Sequence, residues 1–150
     1  MQIVNVSSNQ KGFTLIEMLV VMVIIGLLVG LVGPKIFSRV DSSKIQTAQA
    51  QIKMLKGALD TVKLDIGRFP TSEEGLGILI TPPTEGKYAK RWKGPYLEEA
   101  MPDDPWGNPY QYAFPGAPGK PFALYSFGAD GVQGGTENDA DIGYLPLGES

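Results

Sequence analysis

Residues 13–32 form an apolar run, "FTLIEMLVVMVIIGLLVGLV", with a single charged residue inside it, Glu17. The length matches the roughly 20 residues that carry a helix across a bilayer. No other feature constrains the fold so strongly, since a lone segment in hydrocarbon satisfies its own backbone groups only as a helix. A secretory signal would carry its cations first, then a shorter apolar stretch, then a small-residue cleavage site. Here the preceding "MQIVNVSSNQKG" has Lys11 as its one charged side chain, and "GLVGPKIF" fits an A-x-A site poorly. The run is therefore expected to persist as a membrane helix. A carboxylate at its front is costly and calls for a function and a named partner.

The helix is expected to continue past the membrane. Ile45, Ala48, Ile52, Leu55, Leu59, Val62 and Ile66 recur at alternating steps of three and four, which makes one apolar stripe. Lys44, Gln46, Gln49, Gln51, Lys53, Lys56, Asp60 and Lys63 lie between them as a solvated face. The stripe suits packing on the chain's own globular part better than a coiled coil of so few heptads. Gly67 fits a C-cap and Pro70 prevents a return to helix. Pro34, near Gly26, Gly30 and Gly33, marks a soft point, because it removes a hydrogen bond to the carbonyl of Gly30.

Beyond residue 67 the pattern changes to loops and short strands. "RFPTSEEGLGILITPP" suggests a turn and then a short helix from about Ser72. Prolines at 102, 105 and 109 make the next stretch a loop. "PYQYAF" and "PFALYSFG" have strand composition, and "PGAPGK" between them suits a hairpin connection. The expected class is α+β, a long helix packed on a small antiparallel sheet. Its parts would be a leader (1–12), a transmembrane half-helix (13–33), an amphipathic half-helix (34–66) and a head (67–150).

Composition excludes several chemistries. The 150 residues contain no histidine and no cysteine, so a Ser-His-Asp or Cys-His nucleophile, a thiolate metal site and a disulfide are all ruled out. The net charge of −3 argues against a general nucleic-acid binder. "KYAKRWK" mixes Lys87, Lys90, Arg91 and Lys93 with Tyr88 and Trp92, a blend able to bind nucleic acid. Glu98, Glu99, Asp103 and Asp104 follow closely, so a solvated loop or a contact between subunits is the preferred reading. Trp106, Tyr110 and Tyr112 are expected to cover the sheet.

Gly12, Phe13 and Glu17 make one constellation. A cut between Gly12 and Phe13 would free an α-amine that is cationic near neutral pH. Four helical residues rise about 6 Å, which places Glu17 one turn below that amine. In a staggered stack of helices, Glu17 would instead face the amine of a neighbouring copy. A glutamate turned to a polar pocket in a lone membrane helix is the other reading, and residue types leave both open.

"KGFTLIEMLVVMVIIGLL" resembles the class III signal of type IV pilins and pseudopilins, with a leader ending in glycine, then phenylalanine, then glutamate at the fifth mature position. "LDIGRFPTSEEGLGIL", "GPYLEEAMPDDPWGNPYQY" and "SFGADGVQGGTENDADI" resemble successive segments of the major pseudopilins of type II secretion systems. The resemblance implies a pilin-like fold and cleavage between Gly12 and Phe13 by a prepilin peptidase, followed by N-methylation of Phe13. It makes Glu17 the assembly residue. It further implies an inner-membrane, single-pass protein with its C-terminal domain in the periplasm. That protein would polymerise with itself, with minor pseudopilins and with an inner-membrane assembly platform. No catalysis of its own and no nucleic-acid partner are implied. A pilin of a true type IV pilus and a non-polymerising, membrane-anchored calcium-binding module remain alternatives.

The loop 127–142 holds Asp130, Glu137, Asn138, Asp139 and Asp141 among four glycines. Ca²⁺ takes six to eight oxygens from a chain able to wrap it, and the spacing is not that of an EF-hand. Composition alone favours a solvated acidic loop. The resemblance implies Ca²⁺ instead, with side-chain oxygens from Asp130, Asp139 and Asp141 and backbone carbonyls from Phe127 and Val132. Glu137 or Asn138 would be substitutes in that shell.

Overall fold

The computed structural model describes residues 12–84 and 86–146, with the side chains of residues 34–38 outside the described set. The expected leader therefore lies outside the described residues except for Gly12. The chain divides into two compact units, Met1–Arg39 and Val40–Ser150, and each is considered by itself.

One helix, α1 (Leu15–Ile66), contributes to both units, and its backbone runs on through Pro34. In the first unit, Leu15–Gly33 is long and apolar enough to cross a membrane, and none of it is buried. Exposure of this kind suits lipid as the surrounding medium, as expected of the run.

In the second unit the apolar stripe is the spine of the core. Ala48, Ile52, Leu55, Leu59, Val62 and Ile66 are all buried, and Ile45 packs against them half-buried. The three-four spacing puts every member on one helical face, so each side chain leaves water together with its neighbours. Full burial of one such side chain contributes about 1.5–3 kcal/mol. The helix ends where expected, with the Gly67 N–H donating to the Lys63 carbonyl at 2.8 Å.

Opposite the stripe lies a three-stranded antiparallel sheet in the order β1-β2-β3. Its strands are β1 (Gln111–Ala113), β2 (Ala123–Ser126) and β3 (Ile142–Tyr144). The hairpin is as expected, with Gln111 opposite Tyr125 and Ala113 opposite Ala123. The third strand was not expected, because "IGY" is too short to show alternation. It pairs Ser126 with Ile142 and Leu124 with Tyr144, which brings the end of the acidic loop back beside β2.

Between α1 and the sheet the connecting segment departs from the expected helix at Ser72. A turn over 72–74 leads instead into a 3₁₀ stretch, Gly75–Leu79. Thr71 and Glu74 cap each other, with Thr71 N–H donating to Glu74 Oε2 and Glu74 N–H to Thr71 Oγ1. Arg68 also grips the Glu74 carboxylate from outside at 2.6 and 2.8 Å. Two glycines in five residues then weaken any longer helix. The basic segment opens with a short helix, α2 (Gly86–Ala89), where a solvated loop is expected from its composition.

Trp106, Tyr110 and Tyr112 pack on the core as expected, Trp92 joins them, and three of the four have hydrogen-bonded side chains. Tyr110 donates to Gln51 Oε1 at 2.6 Å, Tyr112 to the Pro70 carbonyl at 2.8 Å, and Trp92 to the Ile78 carbonyl at 2.8 Å. Phe122 meets Phe69 edge-on at 4.9 Å between centroids.

Candidate functional sites

The first candidate site is the start of α1. Gly12 and Phe13 are exposed ahead of it, in the position an endopeptidase would need. Glu17 does not point away from its own chain. Its Oε2 accepts from the Thr14 N–H at 2.7 Å and from the Thr14 hydroxyl at 2.9 Å, while the Glu17 N–H donates back to Thr14 Oγ1 at 3.2 Å. This is a reciprocal capping box, which satisfies donors left free at a helix start. The sequence reading missed Thr14, although threonine three residues before glutamate at the head of an apolar run was there to be read. Thr14 gives the carboxylate a partner within its own chain, where the sequence reading offered only the amine at Phe13 or a polar pocket.

The second candidate site is the acidic loop between β2 and β3. Ala129 N–H donates to the Asn138 carbonyl at 2.8 Å, tying the outgoing arm to the returning one. A 3₁₀ turn, Glu137–Asp139, reverses the chain. The Asp130 side chain is exposed and its Oδ1 accepts from the Val132 N–H at 3.0 Å. Asp139 is exposed, whereas Asp141 is half-buried. Asp141 Oδ2 accepts from the Gly134 N–H at 3.0 Å, but Oδ1 is buried with no partner. Among the described residues, no three acidic side chains are gathered as ligands of one ion, so Asp130, Asp139 and Asp141 share the loop without converging. The backbone crowds where side chains are missing: a Cβ on Gly128 would sit 2.8 Å from the carbonyls of Asn138 and Ala140. One on Gly135 would collide with the Asp139 carbonyl.

A third group of residues was overlooked in the sequence. Asp104, read there as one of several surface acids, is 4% exposed. Its Oδ1 accepts from the backbone N–H groups of Trp106 and Asn108, and its Oδ2 from the Ser126 hydroxyl at 2.5 Å. The available signal was Asp104 directly before Pro105, a pair that initiates turns.

Two successive parts of the chain match two family profiles. Residues 7–33 match the "Prokaryotic N-terminal methylation motif", and residues 35–145 match "Type II secretion system (T2SS), protein G". This chain belongs to the type II secretion system protein G family. A "Type II secretion system core protein G" of Pseudomonas aeruginosa is 52% identical over 136 residues, covering 90% of this chain and 94% of that one. The protein of the same description from Vibrio cholerae is 42% identical over 135 residues, covering 90% and 91%. Among solved structures, the major pseudopilin from the type 2 secretion system of enterohaemorrhagic Escherichia coli superposes with a TM-score of 0.58 at 35% identity. That match covers 71% of this chain and 90% of the other. As a pseudopilin of the protein G family, the chain is a structural subunit of a type II secretion system. Its exposed apolar helix agrees with membrane anchoring.

Proposed function

We propose that this chain is the major subunit of a periplasmic pseudopilus, which helps export folded proteins across the outer membrane. The supporting observation is that one chain joins a methylation-type N-terminus to a protein G domain. Prepilin peptidase would cut between Gly12 and Phe13 and methylate the new Phe13 amine. Leu15–Gly33 would hold the subunit in the bacterial inner membrane by a single pass, with residues 67–150 in the periplasm. Copies would then leave the bilayer and stack with one another, with minor pseudopilins and with the inner-membrane assembly platform. In that stack the carboxylate of Glu17, held toward the helix start by Thr14, would meet the Phe13 amine of a neighbour. Mass spectrometry of membrane-extracted protein is expected to find a chain beginning at methylated Phe13. An intact leader, or a cut beyond Val32, refutes the processing.

The second part of the proposal is a calcium ion in the loop 127–142. Asp141 Oδ1 supports it, because a buried carboxylate oxygen without a donor is costly unless a cation meets it. Asp130, Asp139 and Asp141 would supply side-chain oxygens, and Phe127 and Val132 backbone carbonyls. Glu137 and Asn138 stand near enough in sequence to substitute. Bound Ca²⁺ supplies the positive charge that lets the carboxylates lie close together. Ordering the loop tethers β3 to β2. The full-length protein in detergent is expected to melt higher with Ca²⁺ than with a chelator, and Mg²⁺ to substitute poorly because it demands a stricter octahedron. At free Ca²⁺ about 100 times the dissociation constant, the gain is about 2.7 kcal/mol. Equal melting in Ca²⁺ and chelator returns the loop to a solvated turn.

A further inference from the structure

We propose that Asp104, which lies outside the acidic loop, aims the Phe127 carbonyl and so acts as a positioning residue for the calcium site. The inference rests on the calcium reading above and deepens it. The path begins in the central loop, residues 102–109. Trp106 and Asn108 hold Asp104 Oδ1 through their backbone N–H groups at 3.0 and 2.8 Å. The loop is closed again by the Asp104 N–H, which donates to the Asn108 carbonyl at 2.8 Å. With Oδ1 fixed, Oδ2 faces the end of β2, where it accepts from the fully buried Ser126 hydroxyl.

That hydroxyl is then oriented. Its proton lies toward Asp104, so its lone pairs face the other way, where Ser126 Oγ accepts from the Gly128 N–H at 3.0 Å. A charged acceptor at the head of the chain polarises the hydroxyl and strengthens the second bond. The peptide carrying the Gly128 N–H is trans, and its other face is the Phe127 carbonyl. A trans peptide is planar, and its C=O points opposite to its N–H. Fixing the Gly128 N–H therefore fixes the direction of the Phe127 oxygen. The same residue is held from its other end, since Asn108 Nδ2 donates to the Gly128 carbonyl at 3.3 Å. Asn108 also lies against Gly131, with only 3.2 Å from its Oδ1 to a Cβ placed there. The central loop thus grips the first arm of the acidic loop at Gly128 and Gly131, on either side of Asp130.

Groups that orient metal ligands typically change affinity by about 10–100-fold when removed. Ca²⁺ binding to the full-length protein in detergent, measured by calorimetry well below the melting temperature, tests the inference. Asp104→Asn keeps the acceptor for Trp106 and Asn108 but replaces the one for Ser126 by a donor. Ser126→Ala removes the relay itself. Either variant that keeps a native circular dichroism spectrum suffices, and each is expected to weaken Ca²⁺ by about tenfold or more. Tyr112→Phe is the control, since it loses a buried hydrogen bond to the Pro70 carbonyl away from the loop. It is expected to lower the melting temperature while leaving the dissociation constant within about twofold. If the folded variants bind Ca²⁺ as the control does, Asp104 is only a brace for its own loop and the inference falls. If the unmutated protein binds no Ca²⁺, the calcium reading fails first and takes this inference with it.

Discussion

Replacing Gly128 by alanine tests how closely the two arms of the acidic loop are packed. Two costs are separable. The first is local: φ at Gly128 is +72°, and an L-residue in the left-handed region costs about 1–2 kcal/mol. The second is contact. The new methyl would stand 2.8 Å from the Asn138 and Ala140 carbonyls and 2.9 Å from the Asp139 carbonyl carbon. Unstrained contacts of this kind lie near 3.5 Å, and backbone atoms cannot rotate away. The returning arm must retreat, with overpacking costs of about 1–3 kcal/mol. Loss of the Ala129–Asn138 hydrogen bond would add about 1 kcal/mol. The sum for Gly128→Ala is about 3–6 kcal/mol. Gly119→Ala supplies the comparison, since its φ is +80° and nothing lies within 4 Å of a Cβ there. It carries only the local cost. Urea unfolding of both variants in chelator, extrapolated to water, reads the difference with the metal out of play. If Gly128→Ala is no more destabilised than Gly119→Ala, the close packing of the arms is refuted.

Glu17→Ala removes a carboxylate from the membrane segment, lowering insertion cost by up to about 2.5 kcal/mol, and abolishes a capping box whose loss costs about 0.5–2 kcal/mol. Insertion measured by membrane fractionation is expected to be retained, and filament formation seen by electron microscopy to be lost; normal filaments would remove the pairing role. Hydrogen bonding to Arg68, opposed by burial and aided by Thr71, holds Glu74 below its ordinary value of 4.5. Its contribution to stability is therefore present above that pH and lost as pH falls through the lower folded value. Glu74→Gln should flatten the acid limb of the stability curve, as read by urea unfolding from neutral pH downward. Burial pushes the Tyr110 phenol above its ordinary value of 10.0, so its contribution is present below pH 10 and declines above it, where only the unfolded chain ionises. Tyr110→Phe should show a shallower alkaline decline in the same assay.

The long helix was legible because its two signals are local and repeated. A twenty-residue apolar run and a three-four stripe leave no other periodicity for residues 13–66 to follow. The β1–β2 hairpin was legible for the same reason, with strand-forming side chains on both sides of "PGAPGK". What escaped notice depends on contacts distant in sequence. Strand β3 has three residues, one of them Gly143, and exists because Ser126 and Leu124 offer it an edge. Asp104 looks like its neighbour Asp103 in the sequence, yet a partner 22 residues away buries it. Gln51 gives no hint that a tyrosine 59 residues on will use it. The candidate sites divide similarly. Glu17 stood out as a charge in an apolar run, while the Thr14 bonds that orient it require the helix start to be located first. The acidic loop was visible as composition, whereas the single orphaned oxygen of Asp141 is a property of packing.

The smallness of the sheet has a consequence for crowding. Among the described residues β1 and β3 are the outer strands, and each is only three residues long. At about 3.3 Å per residue, neither edge exceeds about 10 Å. Pro109 and Pro115 bracket β1, and Pro146 follows β3, so β1 in both directions and β3 at its C-terminal end soon meet a residue that donates no hydrogen bond. Lys120 lies over the Tyr144 ring at 5.0 Å and puts a charge beside the β3 edge. Short, charged, proline-bounded edges are poor templates for strand addition. In a fibre of the kind proposed, heads would stand side by side at very high local concentration, where an open edge of ordinary length would invite amyloid-like cross-linking. A head built this way would tolerate that density.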